Sequence, residues 1–134
     1  MTPVEDQLMF LSKSPEKVRA AAGAMLRASL RRAPEQERAA FLVLLGHLED
    51  MARAIDQLPQ ALTRHEPGFP WRELSRLPGL LSRSDVRADA KVLRRTLEWP
   101  MHHLRPAALR LNTYMSFYPG WASDGQETAG ESEE

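Results

Sequence analysis

Residues 86–115 read VRADAKVLRRTLEWPMHHLRPAALRLNTYM, and this stretch decides the fold. Its apolar side chains recur at three- and four-residue steps, which is the period of one face of an α-helix. Because this register continues across Pro100 and Pro106, we expect both prolines to bend one long helix and not to end it. The residues that define the stripe are Val86, Ala90, Leu93, Leu97, Met101, Leu104, Ala108, Leu111 and Met115.

The N-terminal half of the chain predicts three further helices. Residues 2–5 have the pattern of a capping box and open a short first helix. Ser14 repeats a start signal and opens a second helix, in which the small residues 20–24 allow close packing. Pro34 opens a third, longer helix that Pro59 bends or ends. The apolar stripe of this third helix consists of Phe41, Leu44, Leu45, Leu48, Met51, Ile55 and Leu58.

The segment between the two long stripes predicts a turn and a short connector helix. Residues 66–70 are expected to be extended, since a residue that precedes proline is pushed out of the α region. The connector helix, residues 71–77, is expected to stop at the Pro78-Gly79 pair, and Ser84 or Asp85 is expected to cap the last helix. No segment shows sustained strand-like alternation of apolar and polar residues. The expected fold class is therefore all-α, an antiparallel four-helix bundle with a short extra connector helix.

The charges divide the chain into a domain and a tail. The 134 residues carry 18 basic and 18 acidic groups, so the net charge is zero. Residues 64–115 hold 10 basic and 5 acidic groups, whereas residues 116–134 hold 5 acidic groups and no basic one. We therefore expect one helical domain over residues 1–115, with a single core, and a disordered acidic tail over residues 116–134.

The residue types exclude several classes of protein and site. The chain has no cysteine, which excludes disulfides and thiolate metal sites. No apolar run approaches the roughly 20 residues that a membrane span needs. The acidic N-terminus is unlike a signal peptide. We expect a cytoplasmic protein that does not enter a membrane.

Leu45 to Arg105 resembles the HepT-like family of HEPN domains, helical ribonuclease toxins that act beside a nucleotidyltransferase antitoxin. The resemblance rests on the Pro70-Trp71-Arg72 turn, the Leu104-Arg105 end and the ungapped spacing between them. It implies a helical scaffold with the third and last long helices at its centre. It also implies a homodimer and, as a partner, a nucleotidyltransferase-type protein.

The catalytic motif of that family is degenerate in this chain. The family's arginine and asparagine fall on Pro78 and Gly79, and its histidine and tyrosine fall on Arg83 and Asp85. A guanidinium stays protonated, so Arg83 cannot replace a histidine as a general base. We therefore expect no catalytic residue and no ribonuclease activity by the family mechanism.

Two other candidate chemistries have simpler interpretations. Glu98 and His102 share a helix face four residues apart, but the apolar stripe lies on another face, so an inward-pointing metal site is not expected. Ser82, Ser84, Asp85 and Asp89 lack a nearby histidine, and helix capping by Ser84 or Asp85 is a better explanation than nucleophilic catalysis. We expect neither a metal nor a cofactor.

A basic strip has a functional character that is independent of the resemblance. A strip of this kind can be an ordinary solvated face, bind an acidic protein partner or bind a nucleic acid backbone, and all three interpretations stay open. The acidic tail is expected to compete for it. The members of the strip are Arg72, Arg76, Arg83, Arg87, Lys91, Arg94 and Arg95.

The function expected from these patterns is binding without catalysis, by a degenerate HepT-like member of a toxin–antitoxin pair. The alternatives are a nucleic-acid-binding or adaptor module that uses the basic strip, and a ribonuclease with an unrecognised site. The apolar surface around Trp99, Phe117 and Trp121 predicts a symmetric homodimer.

Overall fold

The computed structural model describes residues 3–83, 89–118 and 120. This part of the chain consists of helices and turns and contains no strand, which confirms the all-α class. The helices are α1 (Pro3–Leu30), α2 (Pro34–Asp56), α3 (Gln60–Thr63), α4 (Trp71–Arg83) and α5 (Ala90–Phe117). α5 therefore continues slightly past the predicted domain boundary at residue 115.

The first 30 residues form one helix, and the prediction of two was wrong. Pro15 lies inside α1, where it is buried. Proline costs about 3 kcal/mol inside a helix because it removes one backbone hydrogen bond and crowds the preceding turn. The apolar register of Leu8, Leu11 and Val18 continues through it, and all three side chains are buried. Packing of this continuous face outweighs the local cost.

Ser14 does not begin a second helix, as the sequence pattern had indicated. Its side chain is buried, and its hydroxyl donates a hydrogen bond to the carbonyl of Phe10 at 2.8 Å. The hydroxyl of Ser12 likewise donates to the carbonyl of Met9 at 2.7 Å. Both hydroxyls therefore bond to backbone carbonyls in the turn that precedes Pro15, as serine hydroxyls commonly do within helices.

The connector helix is longer than predicted, because the Pro78-Gly79 pair does not stop it. α4 continues to Arg83, with Pro78 buried inside it. Gly79 does not adopt a positive φ, so it does not terminate the helix as a left-handed glycine would. The hydroxyl of Ser82 donates to the carbonyl of Pro78 at 2.7 Å. The buried side chains of Leu74 and Pro78 lie one turn apart, and their burial holds α4 together across the proline.

The cap of the last helix is Asp89, not Ser84 or Asp85. The Asp89 carboxylate accepts hydrogen bonds from the backbone N–H groups of Lys91, at 2.8 Å, and Val92, at 3.2 Å. These two groups are among those that a helix N-terminus leaves without an intrahelical partner. Ser84 and Asp85 lie outside the described residues.

α1 and α2 are joined by a tight helix-ending turn. Arg32 adopts φ 56°, in the left-handed region. The N–H of Arg32 donates to the carbonyl of Ser29 at 3.1 Å, and the N–H of Ala33 donates to that of Ala28 at 2.9 Å. This pair of bonds defines a Schellman motif, in which glycine is the usual left-handed residue. Pro34 then begins α2 directly.

α1 is the helix that both other long helices contact. It packs against α2 and against α5, while α4 packs against α2. The HepT-like resemblance implied that α2 and α5 are central, whereas in the structure α1 is the helix that contacts both of them. The predicted stripes of α2 and α5 do face the core. The large side chains buried most completely there are Leu8, Leu11, Val18, Leu44, Leu48, Met51, Leu62, Met101, Leu104 and Leu111.

In the described ranges, every helix is too short or too polar to cross a membrane.

Candidate functional site

A groove of about 1260 Å³ lies between α1 and α5, and we call it the α1/α5 groove. Its floor belongs to the hydrophobic core, since Val18, Ala22, Leu97 and Met101 line it and are each at most 4% exposed. Its walls carry most of the charged side chains and are largely exposed, although Leu26 and Trp99 also belong to them. The remaining lining residues are Arg19, Gly23, Leu26, Arg27, Lys91, Arg94, Arg95, Glu98, Trp99, His102 and His103.

Positive charge converges on this groove from two helices. α1 contributes Arg19 and Arg27, α5 contributes Lys91, Arg94 and Arg95, and Glu98 is the single carboxylate among the lining residues. Within the described ranges none of the five cations forms an ion pair, since the pairs Arg53–Asp50 and Arg110–Glu66 lie elsewhere. Several unpaired cations around one concave surface raise the local positive potential and concentrate anions there.

Local sequence explains how α1 presents its two arginines. Arg19 and Arg27 both line the groove, and Gly23 lies midway between them. A Cβ atom added at Gly23 would lie 3.3 Å from a guanidinium nitrogen of Arg27. The missing side chain therefore leaves room for the guanidinium to lie back over the helix. The small residues 20–24 make one side of α1 narrow enough for this arrangement.

Aromatic rings form one end of the groove. Trp99 is 49% exposed, and its ring centroid lies 4.2 Å from that of His103. The ring centroid of Phe69 lies 6.1 Å from that of Trp99. The sequence pattern placed a protomer contact around Trp99. In the structure it is a half-exposed residue of the groove, and its indole is already stacked.

The turn before α4 is hydrogen-bonded to α5 close to these rings. The Glu66 carboxylate accepts two hydrogen bonds from Arg110, at 2.9 Å from Nε and 2.6 Å from a terminal nitrogen. The hydrogen bond to Glu66 raises the pKa of Arg110 above its ordinary value. The carbonyl of Glu66 accepts a bond from Nε1 of Trp71 at 3.1 Å. These contacts hold residues 66–71 against α5.

Trp71 packs against the core at the start of α4. Its ring is half-buried against the core, and its centroid lies 4.5 Å from that of Phe69. Trp71 is also the first residue of α4. The tryptophan therefore fixes the point at which the helix leaves the turn.

The basic strip predicted from sequence is distributed over two places. Lys91, Arg94 and Arg95 line the α1/α5 groove. Arg72, Arg76 and Arg83 are exposed on α4, which packs against α2. Arg87 lies outside the described residues. Sequence reasoning missed Arg19 and Arg27, because about 70 residues separate them from their neighbours on α5 and helix packing alone brings them together.

The positions aligned with the HepT-like motif offer no base for proton transfer where they are described. Pro78 is buried and Gly79 is exposed, both inside α4. Nε of Arg83 donates to the carbonyl of Gly79 at 3.3 Å, a local contact one turn apart. Asp85 lies outside the described residues.

The described residues contain no group of three or more histidine, aspartate or glutamate side chains placed to hold a metal ion. Glu98 and His102 are both exposed and both line the α1/α5 groove. Two ligands on an open wall leave most of a coordination shell unfilled.

Comparison of the chain with models of protein families, with curated proteins and with solved structures yields no match. The α1/α5 groove is therefore interpreted from its own residues.

Proposed function

We propose that this protein acts by binding and not by catalysis, and that the α1/α5 groove accepts an acidic segment of a partner protein. The observation that supports this function is the convergence of five unpaired cations on a groove with one carboxylate. A ligand that places several carboxylates in the groove gains from all five cations at once.

The strength of such binding follows from the exposure of the charges. One exposed ion pair contributes about 0–1 kcal/mol, because water and salt screen it. Several pairs formed together are needed for a micromolar complex, so the ligand must have closely spaced acidic residues. The buried floor of the groove supplies shape and a rigid base, since Val18 and Met101 are at most 1% exposed.

A short acidic polypeptide fits the overall electrostatics better than a nucleic acid does. The chain has 18 basic and 18 acidic groups and a pI near 6.9, so long-range attraction to a polyanion is weak. Proteins that bind a nucleic acid backbone usually present a basic surface over many phosphates. Here five of the described cations line the α1/α5 groove, three lie on α4, and the others are spread over the rest of the described chain.

The chain itself contains a segment of the proposed kind. Residues 121–134 hold five carboxylates, at Asp124, Glu127, Glu131, Glu133 and Glu134. From Phe117 back to Glu98 is about 28 Å along a helix, and the 17 residues after Phe117 span at most about 58 Å when extended. Residues from about 126 onward are therefore far enough along the chain to reach the groove. This segment would compete with an external ligand.

The HepT-like scaffold belongs to the same proposal. The Pro70-Trp71-Arg72 turn, which begins α4, and the all-helical architecture support it. The lack of a titratable base at Pro78, Gly79 and Arg83 supports a binding role over a catalytic one. A nucleotidyltransferase-type protein is then a candidate source of the acidic segment.

Binding of nucleic acid is the second candidate function, and Trp99 is the observation that favours it. Bases stack on exposed aromatic rings, and a tryptophan beside a basic wall is one element of single-strand recognition. Only part of the indole is available, because His103 already lies 4.2 Å from it. A ribonuclease with an unrecognised site has no support from a specific observation.

The test measures binding of two labelled probes to the full-length protein by fluorescence anisotropy. One probe is a peptide with the sequence of residues 121–134, and the other is a generic single-stranded RNA. We expect the peptide to bind, and Arg94→Ala/Arg95→Ala to weaken it by up to about thirtyfold, through the loss of two charge contacts of about 0–1 kcal/mol each. The matched control, Arg72→Ala/Arg76→Ala, removes two arginines of the same predicted strip from α4 and should change little.

The competing segment is tested in the same assay. Replacing the five tail acids by Asn or Gln in the full chain should tighten peptide binding, because the intramolecular competitor loses its charge. Equal loss in the groove variant and the α4 variant would contradict a site in the α1/α5 groove. RNA binding that depends on Arg94 and Arg95, without peptide binding, would replace the proposal with the nucleic-acid candidate.

A further inference from the structure

The first half of α2 is apolar on two opposite faces. Phe41, Leu44 and Leu48 face the core. Leu42 is 54% exposed and Val43 is 53% exposed, on the side that faces away from it. A helix that is apolar all round is usually covered on both sides. The described part of this chain covers one of them.

A glycine continues the exposed apolar face by one turn. Ala39, Leu42, Val43 and Gly46 follow at three- and four-residue steps and therefore share one side of α2. A Cβ atom added at Gly46 would meet nothing within 4 Å. Glycine inside a helix costs about 0.8–1 kcal/mol relative to alanine. Neither a left-handed backbone nor crowding within the chain explains this cost, since no described glycine has positive φ.

Charged residues flank the apolar patch on the same side of α2. Glu35 and Arg38 precede it, and Asp50 and Arg53, which form an ion pair with each other within α2, follow it, so that contacts from another copy would extend this pair into a network. A two-fold axis midway between residues 42 and 46 places antiparallel copies of α2 so that Arg38 lies opposite Asp50 of the other copy. The same axis sets Glu35 opposite Arg53 of the other copy. Both contacts then join opposite charges, and each occurs twice.

The same arrangement explains the glycine. Leu42 of one copy lies opposite Gly46 of the other, so a large side chain meets the one position on the face that has no side chain. Small residues let two helices approach closely, and near-antiparallel packing at about 20° keeps the flanking charges within reach. The fit of Leu42 against Gly46 and the positions of the flanking charges therefore favour the same register of the two helices.

We propose that the outer face of α2, formed by residues 35, 38, 39, 42, 43, 46, 49, 50 and 53, joins two copies of this chain in a symmetric antiparallel homodimer. The sequence pattern had placed a dimer contact around Trp99 and Phe117 on α5. The α2 register is preferred because it is self-complementary, whereas the ring of Trp99 lies 4.2 Å from that of His103 and lines the α1/α5 groove. This proposal does not depend on what the groove binds.

The interface is small, and its size sets the expected affinity. Residues 35–53 span about 27 Å at 1.5 Å per residue, and the face is one helix wide, about 10 Å. This footprint is well below the roughly 800 Å² per partner of a standard stable interface. We expect a dimer that dissociates in the micromolar range.

The decisive experiment uses two charge-reversed forms of the full-length chain, Arg38→Asp and Asp50→Arg. Each alone places like charges opposite each other and should weaken the dimer of the 15.2 kDa chain at least about tenfold. Mixed in equal amounts, they restore both opposite-charge contacts and should recover the dimer seen for the unmodified chain. Sedimentation equilibrium from about 10 µM to about 500 µM covers the expected range. Parallel or unrelated contacts would not give this recovery.

Apolar variants test the same register without charges. Leu42→Ala should weaken the dimer at least about tenfold, because the side chain is lost twice at the centre of the interface. Leu80→Ala is the matched control, since Leu80 is 57% exposed on α4. Gly46→Ala should weaken the dimer while leaving the dilute monomer as stable to heat or more so.

Three results would overturn the proposal. They are a monomeric unmodified chain across the whole concentration range, a mixture of Arg38→Asp and Asp50→Arg that stays monomeric, and a dimer lost in Leu80→Ala but retained in Leu42→Ala.

Discussion

The α1/α5 groove and the outer face of α2 are both exposed surfaces of the described chain, but their side chains differ in charge and in apolar character. The groove has five cations above a buried floor. The α2 face has Leu42 and Val43 at its centre and charges of both signs at its ends. A surface with one sign of charge cannot pair with a copy of itself, whereas a surface that alternates in sign about an apolar centre can. The composition of each surface therefore indicates its class of partner.

The two surfaces share one support, because α1 contacts both α2 and α5. The groove needs α1 and α5 held side by side, and the α2 face needs α2 held with its stripe inward. Variants that loosen the common core should impair both surfaces, and variants at either surface should impair one.

The largest expected effect comes from Leu104→Ala, which should lower the free energy of unfolding and so impair both surfaces. Leu104 is fully buried in α5, and removing a buried leucine side chain costs about 2–5 kcal/mol through lost burial and the cavity that remains. Chemical denaturation measures the change in the free energy of unfolding. Leu109→Ala is the control, because Leu109 is 42% exposed in the same helix and its loss should cost far less. Equal costs at both positions would contradict the assigned core.

Salt should separate the two surfaces. Raising NaCl from about 50 mM to about 500 mM shortens the screening length more than threefold and should weaken peptide binding to the groove at least about tenfold. The α2 dimer should change far less, since its centre is apolar and burial of apolar area does not weaken with NaCl. Peptide anisotropy and sedimentation in the same buffers give both values. A dimer as salt-sensitive as the peptide complex would show that its charged ends, not Leu42 and Val43, hold it together.

The smallest expected effect lies between the surfaces, at the turn that joins α1 to α2. Arg32→Gly should raise the free energy of unfolding by about 0.5–1 kcal/mol, because glycine adopts the left-handed conformation without the steric cost that arginine meets there. Part of the gain is offset by the greater freedom of glycine in the unfolded chain. Peptide affinity and dimerisation should stay unchanged, since Arg32 belongs to neither surface. A decrease in stability would indicate that the Arg32 side chain makes a stabilising contact in the folded protein.

The long helices could be predicted from the sequence because burial imposes a period on the chain. Leu44, Leu48 and Met51 of α2 are all buried, as their spacing predicts, and the stripe of α5 is buried from Ala90 to Leu111. Helix ends were predicted less well where prolines occur. The cost of proline is local, whereas the packing that overcomes it at Pro15 and Pro78 is tertiary and leaves no signal beside the proline.

Only the α5 side of the α1/α5 groove could be predicted from the sequence. Lys91, Arg94 and Arg95 are close in sequence, so their clustering is visible without a structure. Arg19 and Arg27 join them only because α1 packs on α5, a contact between distant parts of the chain. The small residues 20–24 did indicate close packing of α1, but they carry no information about which helix approaches.

The central claim, that the α1/α5 groove recognises negative charge, is tested most directly by reversing the charge on both sides. In the double variant Arg94→Glu/Arg95→Glu, the peptide of residues 121–134 should lose affinity at least about tenfold, because two attractive contacts become repulsive. The same variant should gain affinity for a peptide in which the five acids are replaced by lysine, and Arg72→Glu/Arg76→Glu should alter neither. Unchanged binding of the acidic peptide to Arg94→Glu/Arg95→Glu would contradict the claim.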